Sequence, residues 1–569
     1  MNSEHSPREG SRAARDLLSG DGVGGPPASL GRNTRRAVSW INFRPLWESR
    51  NDRVARLLGD PTDALRQRWM QWLRSQGGDE DPAVREQAGR DRITVAIIGD
   101  PGEGDLSQAV VVPPLLAVQE QCDFLVVCSD VVYPAGDVNQ YAGKFYEPYE
   151  EWGKPIYALP GNHDWYGELE GFMFHFCGVD PPPAGFGDDP PRPLLWRRAR
   201  ARQNEARELR DRRPPGRSGF QPAPYFVIDA GPIALVCIDT GIQGDLDRAQ
   251  GDWLIRVSRT VPKPKVLLTG KPLIVDGSYR PGRIASLDRT VDDIVRDPAH
   301  GYVAAIGGDI HNYQRYPVKV RERRIEYIVS GGGGAFMHAT HRIPRVDLGG
   351  IDESRFRCFP LRGDSLWLYS RVVLRALTRL VITAALFLLL SLVLVGAVTL
   401  LLATQGAQLS TWILAELLPA LFLLASGLFL RQIYESGAIG VLRVRGKGLT
   451  RAEAATWMAG VIGEEPVLEH LTVLSPEGEA VAEFVAPRFH HTGGFLHSFF
   501  SEIFDVDQPP LYKQFLRLDA DRDRLQITCC AAIGAEEEAH RPYIEEWTEI
   551  PLAPARHEMA SSTRTGAVG

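Results

Sequence analysis

Five apolar runs in this chain end in side chains that can bind a cation or move a proton. "IIGDPG" delivers Asp100, "VVCSDVVYPAGD" delivers Asp130 and Tyr133, and "YALPGNHDWY" delivers Asn162, His163 and Asp164. Further on, "LLTGKPL" carries Lys271 and "AIGGDIHNYQRY" carries Asp309 and His311. A single acid after a glycine marks a turn. Four or five such endings in one stretch imply polar groups gathered at one edge of an open sheet, where binding sites form. Carboxylate, amide oxygen, phenolate and imidazole make a hard-to-borderline donor set, suited to Fe, Mn, Zn or Mg rather than to a thiolate-loving metal. A hydrolytic site of that kind uses the ion to acidify water and to polarise a phosphoryl oxygen.

The elements that must hold these residues are short, buried strands. "ITVAIIG", "FLVVCS", "PIYALPG", "YFVIDAG", "IALVCIDT", "KVLLTG", "YVAAIGG" and "IEYIVSGG" are apolar throughout rather than alternating. Continuous runs of this length predict sheets covered on both faces, hence an α/β layered domain. Upstream, Leu57, Leu58, Leu65, Trp69 and Trp72 fall at helical spacings. Between Pro181 and Ala223 an insertion rich in proline and arginine interrupts the strands. It reads as an exposed helical excursion, with docking of an acidic lipid or phosphate as the alternative. Near the C-terminus, Tyr512 to Leu518 and Leu525 to Ala531 read as a hairpin turning at "DADRD". Its pieces are short for a core of their own and are expected to rejoin the first sheet.

Composition narrows the class. The chain has 569 residues and a net charge of -7, which gives no reason to expect a nucleic-acid partner. Its seven cysteines show no metal-type spacing, and the odd count predicts reduced thiols. The stretch from Leu380 to Ala403 carries no charge, and Trp412 to Leu430 is nearly as apolar. As a helix the first would be about 36 Å long, enough to cross a bilayer core of about 30 Å. Arg371, Arg375 and Arg379 precede the pair, and Arg431, Arg443, Arg445 and Lys447 follow it. The positive-inside rule then predicts a multi-pass protein of the cell membrane, with both termini and the catalytic domain in the cytoplasm and the bilayer as a partner.

The series G-D-x-G, D-x-x-Y, G-N-H-D and a late histidine resembles the calcineurin-like metallophosphoesterases, and the tyrosine places it nearest the purple acid phosphatase branch. The resemblance implies a sandwich of two mixed β-sheets flanked by helices, here with a two-helix transmembrane hairpin added. It implies that Asp100, Asp130, Tyr133 and His311 bind a first metal, and that Asp130 bridges to a second metal held also by Asn162. His163 would be the general acid, steadied by Asp164, in hydrolysis of a phosphate ester. Two positions depart from the pattern: Lys271 and Asp309 stand where the family usually has histidines. Asp309 can still ligate, whereas a protonated Lys271 has no lone pair and serves better as a point charge against phosphate. One tight ion (Fe, Mn or Zn) and a second weak or absent one are therefore expected. The alternative is a catalytically weakened, metal-binding signalling module on the same fold.

The expected organisation is a disordered tail (1–36), a helical segment (37–90), the phosphoesterase domain (91–345, with the 181–223 insertion) and a linker (346–379). The hairpin (380–403 and 412–430), a linker with a helix (431–510), the returning strands (511–555) and a tail (556–569) complete it. Asp105 and Asp137 read as loop acids. His338 and His341, after a glycine run, read as a turn or as a loop over the site.

Overall fold

The computed structural model describes residues 43–405 (apart from 86, 105, most of 200–219, 349–350 and 352–353), 440–447, 479–486, 511–533 and 543–552. Two sheets face each other. The first runs Tyr543–Pro551, Arg524–Ile533, Tyr512–Ala520, Ile93–Ile98, Phe124–Cys128, Ile156–Leu159. The second runs Ala83–Val84, Phe226–Ala230, Ile233–Ile238, Lys265–Thr269, Tyr302–Gly307, Arg323–Ser330, Tyr313–Val320, Arg357–Phe359. Both are mixed. Ile93–Ile98, Phe124–Cys128 and Ile156–Leu159 lie parallel, as do Ile233–Ile238, Lys265–Thr269, Tyr302–Gly307 and Arg323–Ser330.

The uninterrupted apolar runs are explained by which way alternate residues point. Val95, Ile97, Phe124 and Val126 meet Leu235, Cys237, Leu268 and Ile306 between the sheets. Ala96, Ile98, Leu125 and Val127 on the opposite face join a second core with Trp69, Trp165 and Trp253. Most of these strand residues are therefore buried on one side or the other, at about 1.5–3 kcal/mol per buried aliphatic side chain. Residues 512–520 pair antiparallel with Ile93–Ile98, Leu516 lying opposite Ile97, so the C-terminal strands complete the sheet that carries Asp100.

The helix Thr62–Ser75 lies against the domain through Leu65, Trp69, Met70 and Leu73. Asp247 caps Arg248–Thr260 by accepting from the backbone N–H groups of Ala249 and Gln250. The described start of the 181–223 insertion folds back on the domain: Arg192 pairs with Glu168, and Trp196 Nε1 donates to Glu168 Oε1 at 3.1 Å. Most of 200–219, within its arginine-rich middle, lies outside the described residues. The helix expected within 431–510 also lies outside them; a two-stranded ribbon, Gly440–Lys447 with Glu479–Ala486, is described there.

The expected membrane hairpin is overturned. Among the described residues no helix is long and apolar enough to cross a membrane. The run 380–403 is not a separate span. It continues one 44-residue helix, Arg362–Gln405, whose first turns carry Arg362, Asp364 and Arg371 and dock on the domain where Leu368 and Val372 bury against Met337. The second arm, 412–430, lies outside the described residues. The multi-pass membrane localisation and its cytoplasmic orientation rested on that hairpin and fall with it.

Candidate metal centre

The parallel strands of both sheets deliver their C-terminal ends to one place. Asp100 follows Ile93–Ile98, Ser129 and Asp130 follow Phe124–Cys128, and Asp309 follows Tyr302–Gly307. All four hold left-handed backbone, with φ of 53°, 84°, 28° and 65°. That region costs a non-glycine residue on the order of 1–3 kcal/mol and is kept where the surroundings over-determine it. Here they do: the backbone N–H of Asp309 donates to Asp100 Oδ2 at 2.8 Å, and that of His163 donates to Asp130 Oδ1 at 2.8 Å. Glycine at 161 is required by approach rather than by φ, since a Cβ there would lie 2.1 Å from Asp130 Oδ1.

Tyr133 Oη sits at the centre. It lies 3.3 Å from Asp100 Oδ1, 3.0 Å from Asp130 Oδ2 and 3.1 Å from His311 Nε2. His311 Nδ1 donates to the Phe336 carbonyl at 2.8 Å, which leaves the Nε2 lone pair facing the tyrosine. His163 stacks obliquely on the Tyr133 ring, centroids 4.5 Å apart, and its Nδ1 donates to the Pro134 carbonyl at 2.8 Å. Asn162 Nδ2 donates to Tyr166 Oη at 2.6 Å, while its buried Oδ1 has no protein partner. Lys271 Nζ and Asp309 Oδ1 form an ion pair at 2.6 Å. Asp164 turns its carboxylate to the backbone, accepting from Gly161 N at 3.0 Å and Val131 N at 3.1 Å. It therefore fixes the loop that carries Asn162 and His163.

The electrostatics are those of anions held together out of water. Burial, then repulsion from Asp130 and Asp309, pushes the Asp100 carboxyl well up. Burial also raises Asp130, with Asp309 adding to it and His163 opposing. The Tyr133 phenol is raised well above its ordinary value by burial and by Asp100 and Asp130. His311 is held well down, and so neutral, chiefly by burial. Burial alone would lower Lys271, but the charge and hydrogen bond of Asp309 outweigh it and hold the ammonium above the usual lysine value.

Such a cluster fits a cation. Buried like charges are relieved either by protons or by a positive partner, and a cation would meet all of these donors at once. Donor atoms about 2.0–2.2 Å from one ion lie about 3 Å from each other at right angles, which is the spacing found around Tyr133 Oη. The orphaned Asn162 Oδ1 is a further oxygen without a partner. Among the described residues no group of three or more His, Cys, Asp or Glu side chains is arranged to hold a metal ion by itself. The phenol is what links the two carboxylates to the imidazole.

Two further parts of the site were not singled out by motif. Asp239, at the end of Ile233–Ile238, accepts from Trp165 Nε1 at 2.8 Å and from Arg66 Nε at 2.8 Å. Arg66 also reaches Asp247 Oδ2 at 2.9 Å, so the N-terminal helix is locked behind the loop bearing His163. The ending "CIDTG" was a usable signal for Asp239, being one more acid at a strand end, but nothing local ties it to Arg66. Lys144 Nζ donates to the Tyr133 carbonyl at 2.6 Å and is likewise without a motif.

Residues 93–313 match the calcineurin-like phosphoesterase family model. Three solved structures are remotely similar. One is GAP50, described as the anchor in the inner membrane complex of Plasmodium, at 14% identity over 47% of this chain and 77% of that one, TM-score 0.30. Another is the purple acid phosphatase PPD1 from yellow lupin (Lupinus luteus) seeds, at 14% identity over 47% of each chain, TM-score 0.29. The third is PhoD, at 13% identity over 44% of this chain and 59% of that one, TM-score 0.24. Likenesses this remote say nothing of substrate. No curated protein matches the chain.

Proposed function

We propose, for a chain whose residues 93–313 form a calcineurin-like phosphoesterase domain, that it is a metal-dependent hydrolase of phosphate esters. The observation that carries this is the convergence of Asp100, Asp130 and His311 on Tyr133 Oη, all within 3.3 Å. These four residues would hold one divalent or trivalent ion, of which Fe, Mn and Zn suit the donors. When bound, that ion would supply the Lewis acid and the nucleophilic water that phosphoryl transfer to water requires.

The rest is done by the chain. His163 is half-buried, and its Nδ1–H is engaged with Pro134, so Nε2, when it carries a proton, is the nitrogen that would protonate a leaving oxygen. Asp164 positions His163 through the backbone of residues 161 and 131. Lys271 places a positive charge beside Asp309, where a second ion's ligands would otherwise stand. An ammonium there neutralises the carboxylate with one N–H and keeps two more donors to offer a phosphoryl oxygen. Asn162 and Asp309 could hold a second, weaker ion only if Lys271 swung away.

His163→Ala should lower kcat for an aryl phosphate by about 10²–10⁴-fold while leaving Mn²⁺ binding intact, because general-acid catalysis contributes about that much. Hydrolysis of phenyl phosphate and of an alkyl phosphate, whose basic leaving oxygens need a proton, by the metal-loaded full chain, compared with the variant, measures this. Equal rates in parent and variant would remove His163 from the reaction.

The Lys271–Asp309 pair also favours a second reading, a metal-binding module that no longer turns over. Retained metal binding with no hydrolysis of mono- or diesters under any metal would select it.

A further inference from the structure

Residues 331–341 form a glycine-rich loop that reaches from the end of Arg323–Ser330 over the centre and then meets the long helix. Within it, His338 and His311 are joined at three points. The backbone N–H of His311 donates to His338 Nδ1 at 3.1 Å. The backbone N–H of His338 donates to the His311 carbonyl at 3.1 Å. The two rings stack in parallel, centroids 4.4 Å apart and 1° from coplanar. The neighbouring Asn312 Nδ2 donates to the His338 carbonyl at 3.2 Å, and the Phe336 ring closes edge-on against both imidazoles.

The loop is itself fixed from both ends. Ala335 N donates to the Asp100 carbonyl at 3.0 Å, and Phe336 N donates to Glu103 Oε2 at 2.8 Å. Beyond His338, His341 Nδ1 lies 2.9 Å from Ser365 Oγ on Arg362–Gln405, and Met337 packs on Leu368 and Val372 of the same helix. A bracket of this kind sets where His311 can be, not merely that it is buried.

We propose that His338 is a positioning residue for His311, acting through the hydrogen bond that its Nδ1 accepts. The inference rests on the reading of His311 as a metal ligand and extends it to a residue outside the motif series. With Nδ1 accepting, neutral His338 carries its proton on Nε2. The stack and the accepted bond then hold the His311 ring in one plane, with Nε2 turned to the centre. Partners that orient a metal-bound imidazole typically account for about 10–100-fold in metal affinity.

The test separates hydrogen bonding from packing. His338→Phe keeps the ring and loses the acceptor; His338→Asn keeps an acceptor near the Nδ1 position and loses the ring. Mn²⁺ affinity of the full chain is measured by calorimetry, and the visible spectrum of the Co²⁺-loaded protein reports ligand geometry. The expected result is an affinity loss of about 10–100-fold for His338→Phe, with an altered Co²⁺ spectrum, and a smaller loss for His338→Asn. An affinity within twofold of the parent for His338→Phe, or a larger loss for the asparagine variant than for the phenylalanine, overturns the proposal. Should His338→Phe fail to fold, His338→Asn decides alone: a parental Co²⁺ spectrum supports the proposal and a changed one overturns it. A parent chain that binds no metal overturns the functional reading and this inference together, whereas unchanged variants of a metal-binding parent overturn this inference only.

Discussion

Asp130→Ala should remove metal binding and hydrolysis together without unfolding the protein. Asp130 joins the tyrosine to the loop of the proposed general acid: its Oδ2 accepts from Tyr133 Oη and its Oδ1 from the backbone N–H of His163. Its loss takes away a candidate ligand and frees the residue proposed as general acid. A rate loss of roughly 10³-fold or more corresponds to the several kcal/mol of charge stabilisation that a metal site contributes. The metal-free variant is expected to be no less stable than the metal-free parent, because Asp100 and Asp130 repel each other where both are buried. Calorimetric Mn²⁺ binding, aryl phosphate hydrolysis and thermal unfolding of the two metal-free chains check the three parts. Undiminished hydrolysis in the variant would exclude the site as drawn.

Arg66→Ala should have the largest effect on stability. Arg66 is fully buried and pairs with Asp239 at 2.8 Å and Asp247 at 2.9 Å, both of them buried too. Alanine leaves two carboxylates without a counter-charge. Breaking a buried pair from one side typically costs 3–5 kcal/mol, or about 10 °C in Tm for a domain of this kind. Trp165 shares Asp239 and lies next to Asp164, so activity should fall as well. A Tm within 2 °C of the parent would show that the N-terminal helix is not part of the catalytic unit's stability.

The contrast between these two residues shows what the sequence could reveal. Asp130 stands in a contiguous motif at the end of an apolar run, and so do Asp100, Asn162 and His311. The strand predicts where such a residue is delivered, and parallel neighbours deliver theirs to the same edge. Arg66 and Asp239 are 173 residues apart, and no local pattern couples them. Orientation was harder to read than placement. Asp164 follows His163 directly and is expected to steady it, but the motif does not say through which atoms. The structure gives His163 Nδ1 to the Pro134 carbonyl and places Asp164 on backbone N–H groups. Which way an imidazole turns depends on the loop that closes over it, and that loop comes from a different strand end.

The long apolar run is the clearest limit. An uncharged stretch reports low polarity, not what packs on it or how its helix begins. The helix holding residues 380–403 starts at Arg362 with charged turns docked on the domain, and among the described residues no helix is long and apolar enough to cross a membrane. Of the seven cysteines, six are buried and Cys358 is partly exposed.

The central claim is that Asp100, Asp130, Tyr133 and His311 enclose one cation. Anomalous diffraction from crystals of the full chain grown with Mn²⁺ tests it most directly. One strong peak within coordination distance of all four residues is expected, with Lys271 still paired to Asp309 and no second peak of equal height. A peak elsewhere, or two equal peaks with Lys271 displaced, would contradict it.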